Sequence, residues 1–125
     1  MFILKPILHE TIWGGKRLQK YVEDCDFQIG HLYLVNGHAG TSNIIMNGNY
    51  CGKTLKEAFD AEKFRWKMGE YEEFPLTIAL VDASDSLSIQ VHPDNIAAER
   101  IEGERIGKME SWLFLEKLNT DWIYA

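Results

Sequence analysis

A chain of 125 residues is one domain's worth of sequence, and at that size roughly two thirds of the unfolded surface leaves water on folding, with no disulfide or metal needed to hold it together. Hydrophobic residues at 46% and charged residues at 26% argue against wholesale disorder, and no apolar run approaches the ~18 residues of a membrane span. Thirteen Lys and Arg against nineteen Asp and Glu leave a net charge of −6 without a basic stripe, which speaks against nucleic acid and anionic membrane surfaces as partners. The start, Met1 to Pro6, lacks a basic stretch followed by a long apolar one, so no signal peptide is expected. Cys25 and Cys51 fit no metal or redox spacing and are expected to be free thiols in a reducing, cytoplasmic setting.

Taken in chain order, the pattern predicts a short helix over residues 15–21 and a strand over 28–35. A second strand covers 41–46 and runs into a turn at Asn47-Gly48-Asn49. Thr54 with Glu57 three residues on forms a capping box, which opens a helix through Leu55, Ala58 and Phe59 towards Trp66. Residues 76–82 and 87–92 read as an antiparallel pair across Ala83 to Ser86, and 93–101 as a short helix with Asp94 in its first turn. A last pair, 111–117 and 122–124, is joined by a turn-like stretch at 118–121. The glycines Gly14 and Gly15, Gly37 and Gly40, Gly48 and Gly52 punctuate these elements as turns. Short strands with helices inserted between them imply a mainly β barrel or sandwich, with residues 1–125 as a single domain.

The stretch richest in chemistry is residues 87–94, Leu-Ser-Ile-Gln-Val-His-Pro-Asp. As a strand it places Ser88, Gln90 and His92 on one face and Leu87, Ile89 and Val91 on the other, the apolar face being assigned to the core. Two readings of the polar face stand open: a solvated outer face, or a concave site in which Gln90 and His92 converge on one ion, with Pro93 turning the chain away. In residues 107–112, Gly-Lys-Met-Glu-Ser-Trp, Glu110 shares a strand face with Trp112 and Phe114. A carboxylate beside buried aromatics requires a partner or else neutralises, and a metal would be such a partner; a solvated strand-end Glu is the alternative.

Six pieces in register resemble the type I phosphomannose isomerases, zinc-dependent cupins that interconvert mannose 6-phosphate and fructose 6-phosphate. They are Lys5-Pro6 with Ile12-Trp13-Gly14-Gly15; Ile29-Gly30; Asn47-Gly48 through Gly52-Lys53-Thr54-Leu55; Phe74-Pro75-Leu76 with Asp82-Ala83; the 87–94 stretch; and Gly107-Lys108 with Glu110 and Trp112. The resemblance implies a cupin-like β-barrel (jelly roll), incomplete here, with a few short helices. It implies His92, Glu110 and Gln90 as ligands of Zn2+, Lys108 as a catalytic and phosphate-contacting group, and Ser88 as a substrate contact. An imidazole nitrogen with carboxylate and amide oxygens suits zinc, with manganese or iron(II) tolerated.

The chain departs from the family pattern at three positions. Ala79 stands where the family has a lysine, and His31 and Tyr33 stand where it has glutamate and tryptophan. The resemblance also implies a longer chain, whose later part brings a further histidine ligand and an arginine, whereas residues 111–125 contain neither residue type. The expectation is therefore the N-terminal portion of a mannose-6-phosphate isomerase, open to complementation by a C-terminal portion or to self-association through an exposed edge. The alternative is a non-catalytic cupin module that binds a sugar phosphate or a metal, and Ala79 favours it.

Overall fold

A computed structural model describes residues 1–23 and 25–116. It divides into two compact units, Met1–Leu87 and Ser88–Ala125.

In the first unit, the strands are β1 (Leu4–Lys5), β2 (Ile7–Gly15), β3 (Ile29–His38), β4 (Thr41–Ser42), β5 (Ile44–Ile45) and β6 (Thr77–Val81). Every pairing is antiparallel. The long strand β3 is central: Leu32 faces Leu8 of β2 across one edge and Leu80 of β6 across the other. That row of leucines, with Ile29 and Leu34, packs beneath Leu18, which a 3-10 turn at Arg17–Tyr21 lays over the sheet. The small pair β1 and β5 is tied to β3 by Asn43, which is fully buried. The Asn43 side-chain amide donates to the carbonyls of Lys5 (2.8 Å) and Tyr33 (3.1 Å), and its Oδ1 accepts from the Asn36 N–H. A buried amide carries no net cost only when its donors and acceptor are met in this way.

Helix α1 (Leu55–Glu62) begins at the expected capping box. Thr54 Oγ1 accepts from the Glu57 N–H at 3.1 Å, and Glu57 Oε2 accepts from the Thr54 N–H at 2.8 Å. The Thr54 N–H and, next, the Thr54 hydroxyl, which donates to the same Oε2 at 2.9 Å, hold the Glu57 carboxyl below its ordinary pKa. Leu55, Ala58 and Phe59 form its buried side. The helix stops at Glu62, short of Trp66; Trp66 packs instead against Phe59 and Phe2 from the turns that follow.

The sequence pattern missed β2 because the strand is not regular. Its register against β3 shifts after His9 and again after Glu10, so the period-two alternation is broken. Gly14 and Gly15 end that strand rather than forming a turn, and each is there for space. A Cβ on Gly14 would lie 2.7 Å from the Gly30 nitrogen, and one on Gly15 would run into the Asp82 carboxylate. That carboxylate is buried and accepts from the Arg17 N–H at 2.7 Å, which pins the start of the 3-10 turn.

The pairing of 76–82 with 87–92 does not occur: β6 pairs with β3, and residues 87–92 join no ladder among the described residues. The turn-like Ala83 to Ser86 does not reverse the chain into a hairpin. Ala83 bridges to Gly14, and Ser84 donates its N–H to the Trp13 carbonyl (2.9 Å) and its hydroxyl to that of Gly14 (2.6 Å). Ile89 and Val91, assigned above to the core, are exposed. Residues 111–116 form no strand either, and the expected turn at 118–121 and strand at 122–124 lie outside the described residues. Among the described residues no helix is long and apolar enough to cross a membrane, and both cysteines are free.

Candidate functional site

The candidate residues Ser88, Gln90, His92, Lys108 and Glu110 all fall in the second unit. Its frame is helix α2 (Asn95–Glu102), and that helix explains how two segments sixteen residues apart come together. Asp94 is its N-cap, the side chain accepting from the Ala97 N–H at 2.8 Å. At the other end Gly103 takes φ +72, the left-handed conformation that terminates helices at little cost for glycine. The chain then returns to the helix start. Asn95 Oδ1 accepts from the Gly107 N–H at 2.9 Å, and the Pro93 carbonyl accepts from the Lys108 N–H at 3.1 Å.

Gly107 permits that return. A Cβ there would lie 2.3 Å from the Pro93 oxygen and 2.5 Å from the Asp94 carbonyl carbon, so any side chain forces the two backbones apart. Gly107→Ala should therefore separate His92 from Glu110 while leaving the Met1–Leu87 unit untouched. The measurement is the His92 ring-proton shifts by NMR; spectra superimposable on those of the wild type would refute this role for the glycine.

With the return in place, His92 Nε2 lies 2.9 Å from Glu110 Oε2, and Lys108 Nζ lies 3.2 Å from the other oxygen, Oε1. The side chains of His92 and Glu110 are about one third exposed, so both are partly desolvated and still reachable. Burial by itself pushes the Glu110 carboxyl up, but the hydrogen bonds from His92 and Lys108 together outweigh it, and the group is held below the ordinary carboxylate range. Beside the pair lies an open hollow of about 600 Å3, lined by residues that include His92, Asp94, Gly107, Lys108 and Met109. Gln90 and Ser88 do not line it; they bond to each other, Gln90 Nε2 donating to Ser88 Oγ at 3.1 Å. Among the described residues no three His, Cys, Asp or Glu side chains cluster as a metal site. The neighbouring imidazole and carboxylate are nonetheless donor types that zinc takes.

In the first unit, the three departures from the family pattern prove to be neighbours. Tyr33 stands opposite Ala79 across β3 and β6, and the ring of His31 stacks on that of Tyr33 at 5.6 Å. His9, across from His31 on β2, stacks on it at 5.8 Å, and Trp13 meets the same ring edge-on at 5.0 Å. The i, i+2 spacing of His31 and Tyr33 on a strand was the available signal that they share a face.

Residues 1–108 match the family model described as phosphomannose isomerase type I, catalytic domain. The chain is 36% identical over 111 residues to the mannose-6-phosphate isomerase of Streptococcus mutans, covering 87% of this chain and 35% of that protein. It is 32% identical over 113 residues to a Bacillus subtilis protein of the same name, covering 90% and 36%. The crystal structure of the mannose 6-phosphate isomerase from Bacillus subtilis superposes with a TM-score of 0.78 at 30% identity, over 85% of this chain and 34% of that one. This chain thus spans about a third of the length of the relatives it matches. Its antiparallel, mainly β architecture with short helices is that of the cupin-fold relative over the shared region. By the extent of that match, the chain belongs to the type I phosphomannose isomerase family.

Proposed function

We propose that this chain is the N-terminal part of a cytoplasmic, zinc-dependent mannose-6-phosphate isomerase, with residues 1–125 counting as one domain of the whole. The observation that carries the reading is the trio in the second unit, in which His92 and Glu110 lie 2.9 Å apart with Lys108 on the free carboxylate oxygen. In this reading His92, Glu110 and Gln90 hold the zinc, and the remaining ligand comes from outside the described residues. Bound zinc would polarise the carbonyl of the open-chain sugar and so acidify the neighbouring C–H.

The chain's own residues then do the following. Aldose–ketose conversion moves a proton between carbons 1 and 2 and another between their oxygens. Lys108 Nζ is placed to donate to an anionic oxygen at the site, whether a phosphate oxygen or the oxygen on which charge develops. The Ser88 hydroxyl, which already accepts from Gln90, keeps its own O–H to donate to a sugar oxygen. Glu110, held in its ionised form, is ready to coordinate at neutral pH without first losing a proton.

Replacing Lys108 tests the assignment. Lys108→Met should leave thermal stability nearly unchanged, because the side chain is half exposed and its ion pair is of the weak surface kind. It should weaken binding of mannose 6-phosphate, measured by calorimetry, while leaving binding of unphosphorylated mannose unaltered. Equal affinity of mutant and wild type for the phosphorylated sugar would reduce Lys108 to a surface charge.

The second reading, a sugar-phosphate-binding module without turnover, is favoured by Ala79. Its methyl group stands opposite Tyr33 and neither binds an anion nor carries a proton. Turnover on addition of the C-terminal two thirds of a relative separates the two readings, since only the first predicts it.

A further inference from the structure

We propose that His9 and His31 form a binding site for a divalent transition-metal ion of the zinc, nickel or copper kind, set across β2 and β3 in the Met1–Leu87 unit. The two residues are direct cross-strand partners in the antiparallel ladder. Such partners hold their Cβ atoms about 4.5–5.5 Å apart on one face of the sheet. The ring centroids lie 5.8 Å apart, and the ring planes differ by 28°. An ion held ~2.1 Å from one nitrogen of each ring sets the two centroids about 5–6.5 Å apart, according to the angle at the metal. The observed spacing falls inside that span, so closing the site takes rotation of the side chains and no movement of the strands.

The surroundings fix one ligand and leave the other accessible. Trp13 meets the His31 ring edge-on at 5.0 Å, and Tyr33 stacks on it at 5.6 Å with the planes only 9° apart. The second cross-strand neighbour of His31 is Val81 of β6. Those groups position the His31 imidazole in advance, which lowers the entropy lost on binding. His9 is exposed and supplies the second imidazole at the surface. Imidazole is a ligand common to zinc, nickel and copper. Among the described residues no third His, Cys, Asp or Glu joins the pair, so the other coordination positions fall to water or to an oxygen of a small ligand.

The place of the pair along β2 gives the ion something to do. Ile7, Leu8 and His9 pair in step with Tyr33, Leu32 and His31, and the register shifts immediately after His9. The histidines are thus the last regular rung before the irregular end of the strand, where the ladder is disrupted. A metal bridging them clamps β2 to β3 at that rung, and by binding the folded unit and not the open chain it stabilises the fold. The pair shares no residue with the His92–Glu110 contact, which belongs to the other unit, and it owes nothing to the isomerase reading.

The test uses the 125-residue chain carrying His92→Ala, so that the imidazole of the other unit does not contribute. Zn2+ is titrated in while the histidine ring protons are followed by NMR and the melting temperature is recorded. The signals of His9 and His31 should shift together and saturate at one equivalent, and the melting temperature should rise. His9→Gln, a change at an exposed position, should leave the metal-free melting temperature unchanged and abolish the rise with zinc. It should also weaken binding at least ~10-fold, the least that loss of even a supporting partner of a metal ligand costs. His31→Gln should weaken binding to the same degree; if that variant does not fold, His9→Gln decides the matter alone. Ring signals that stay in place at millimolar Zn2+ would overturn the proposal, as would a shift at His38 in place of these two. Undiminished zinc affinity in His9→Gln would overturn it too, and a His9 shift that persists without His31 would reduce the site to a lone surface imidazole.

Discussion

Mannose 6-phosphate incubated with zinc and the 125-residue chain alone should give no fructose 6-phosphate above background. Catalytic zinc sites ordinarily have three protein ligands and one open position. The chain brings one imidazole and one carboxylate into contact, and the Gln90 amide nitrogen is bonded to Ser88. Zinc should therefore bind weakly and exchange readily. His92→Ala should lower that affinity by at least the ~10–100-fold that follows the loss of a mere supporting partner of a metal ligand. Groups that act as a unit are non-additive, so a site short of a ligand and with Ala79 in place of a lysine should retain almost none of the acceleration. The coupled assay for fructose 6-phosphate, run with and without the C-terminal portion of a relative, reads this directly. Turnover of ~1 per second or faster from the chain alone, an ordinary enzymatic rate, would show that nothing corresponding to the rest of the relatives is needed.

Phe59→Ala should destabilise the first unit by about 3–5 kcal/mol, the cost of removing a buried aromatic and leaving a cavity. Phe59 is fully buried on α1, meets Phe74 edge-on at 5.6 Å and touches Trp66 at 6.3 Å. These rings arrive from separate parts of the chain, and Phe59 is the one that both Phe74 and Trp66 meet. Against a typical domain stability of about 5–15 kcal/mol, that loss brings the unit close to its folding threshold. Urea unfolding followed by tryptophan fluorescence measures it. A loss below about 1 kcal/mol would mean that Trp66 and Phe74 collapse into the space, and that the cluster is looser than its geometry implies.

What the sequence determined by itself was local or motif-borne. Thr54 and Glu57 declare the start of α1 because both partners of a capping box lie within one helical turn. Asp94 marks the start of α2 by its own side chain alone, as the cap rather than as a first-turn residue. The central strand and β6 were legible from apolar runs bounded by polar turns, and the family was legible from six short pieces in register. Even the contact of His92 with Glu110, eighteen residues apart, was expected, because the family motif carries long-range information that periodicity does not.

The tertiary structure decided which strands meet. Residues 76–82 and 87–92 have the alternation of a hairpin, but a strand's partner is chosen by backbone edges and apolar faces elsewhere in the chain. Here β3 took β6, while Ala83 and Ser84 were drawn to the end of β2. The irregular β2 itself was invisible because its bulges erase the period on which a strand is recognised. Tertiary structure also gave the glycines their reasons. Gly14 and Gly15 look like turn residues in the sequence and are in fact places where another backbone or a buried carboxylate leaves no room for a Cβ. Gly107 is the same case at the site: close approach to Pro93 and Asp94 sets Lys108 and Glu110 beside His92, and that distance is a property of two backbones far apart in the chain.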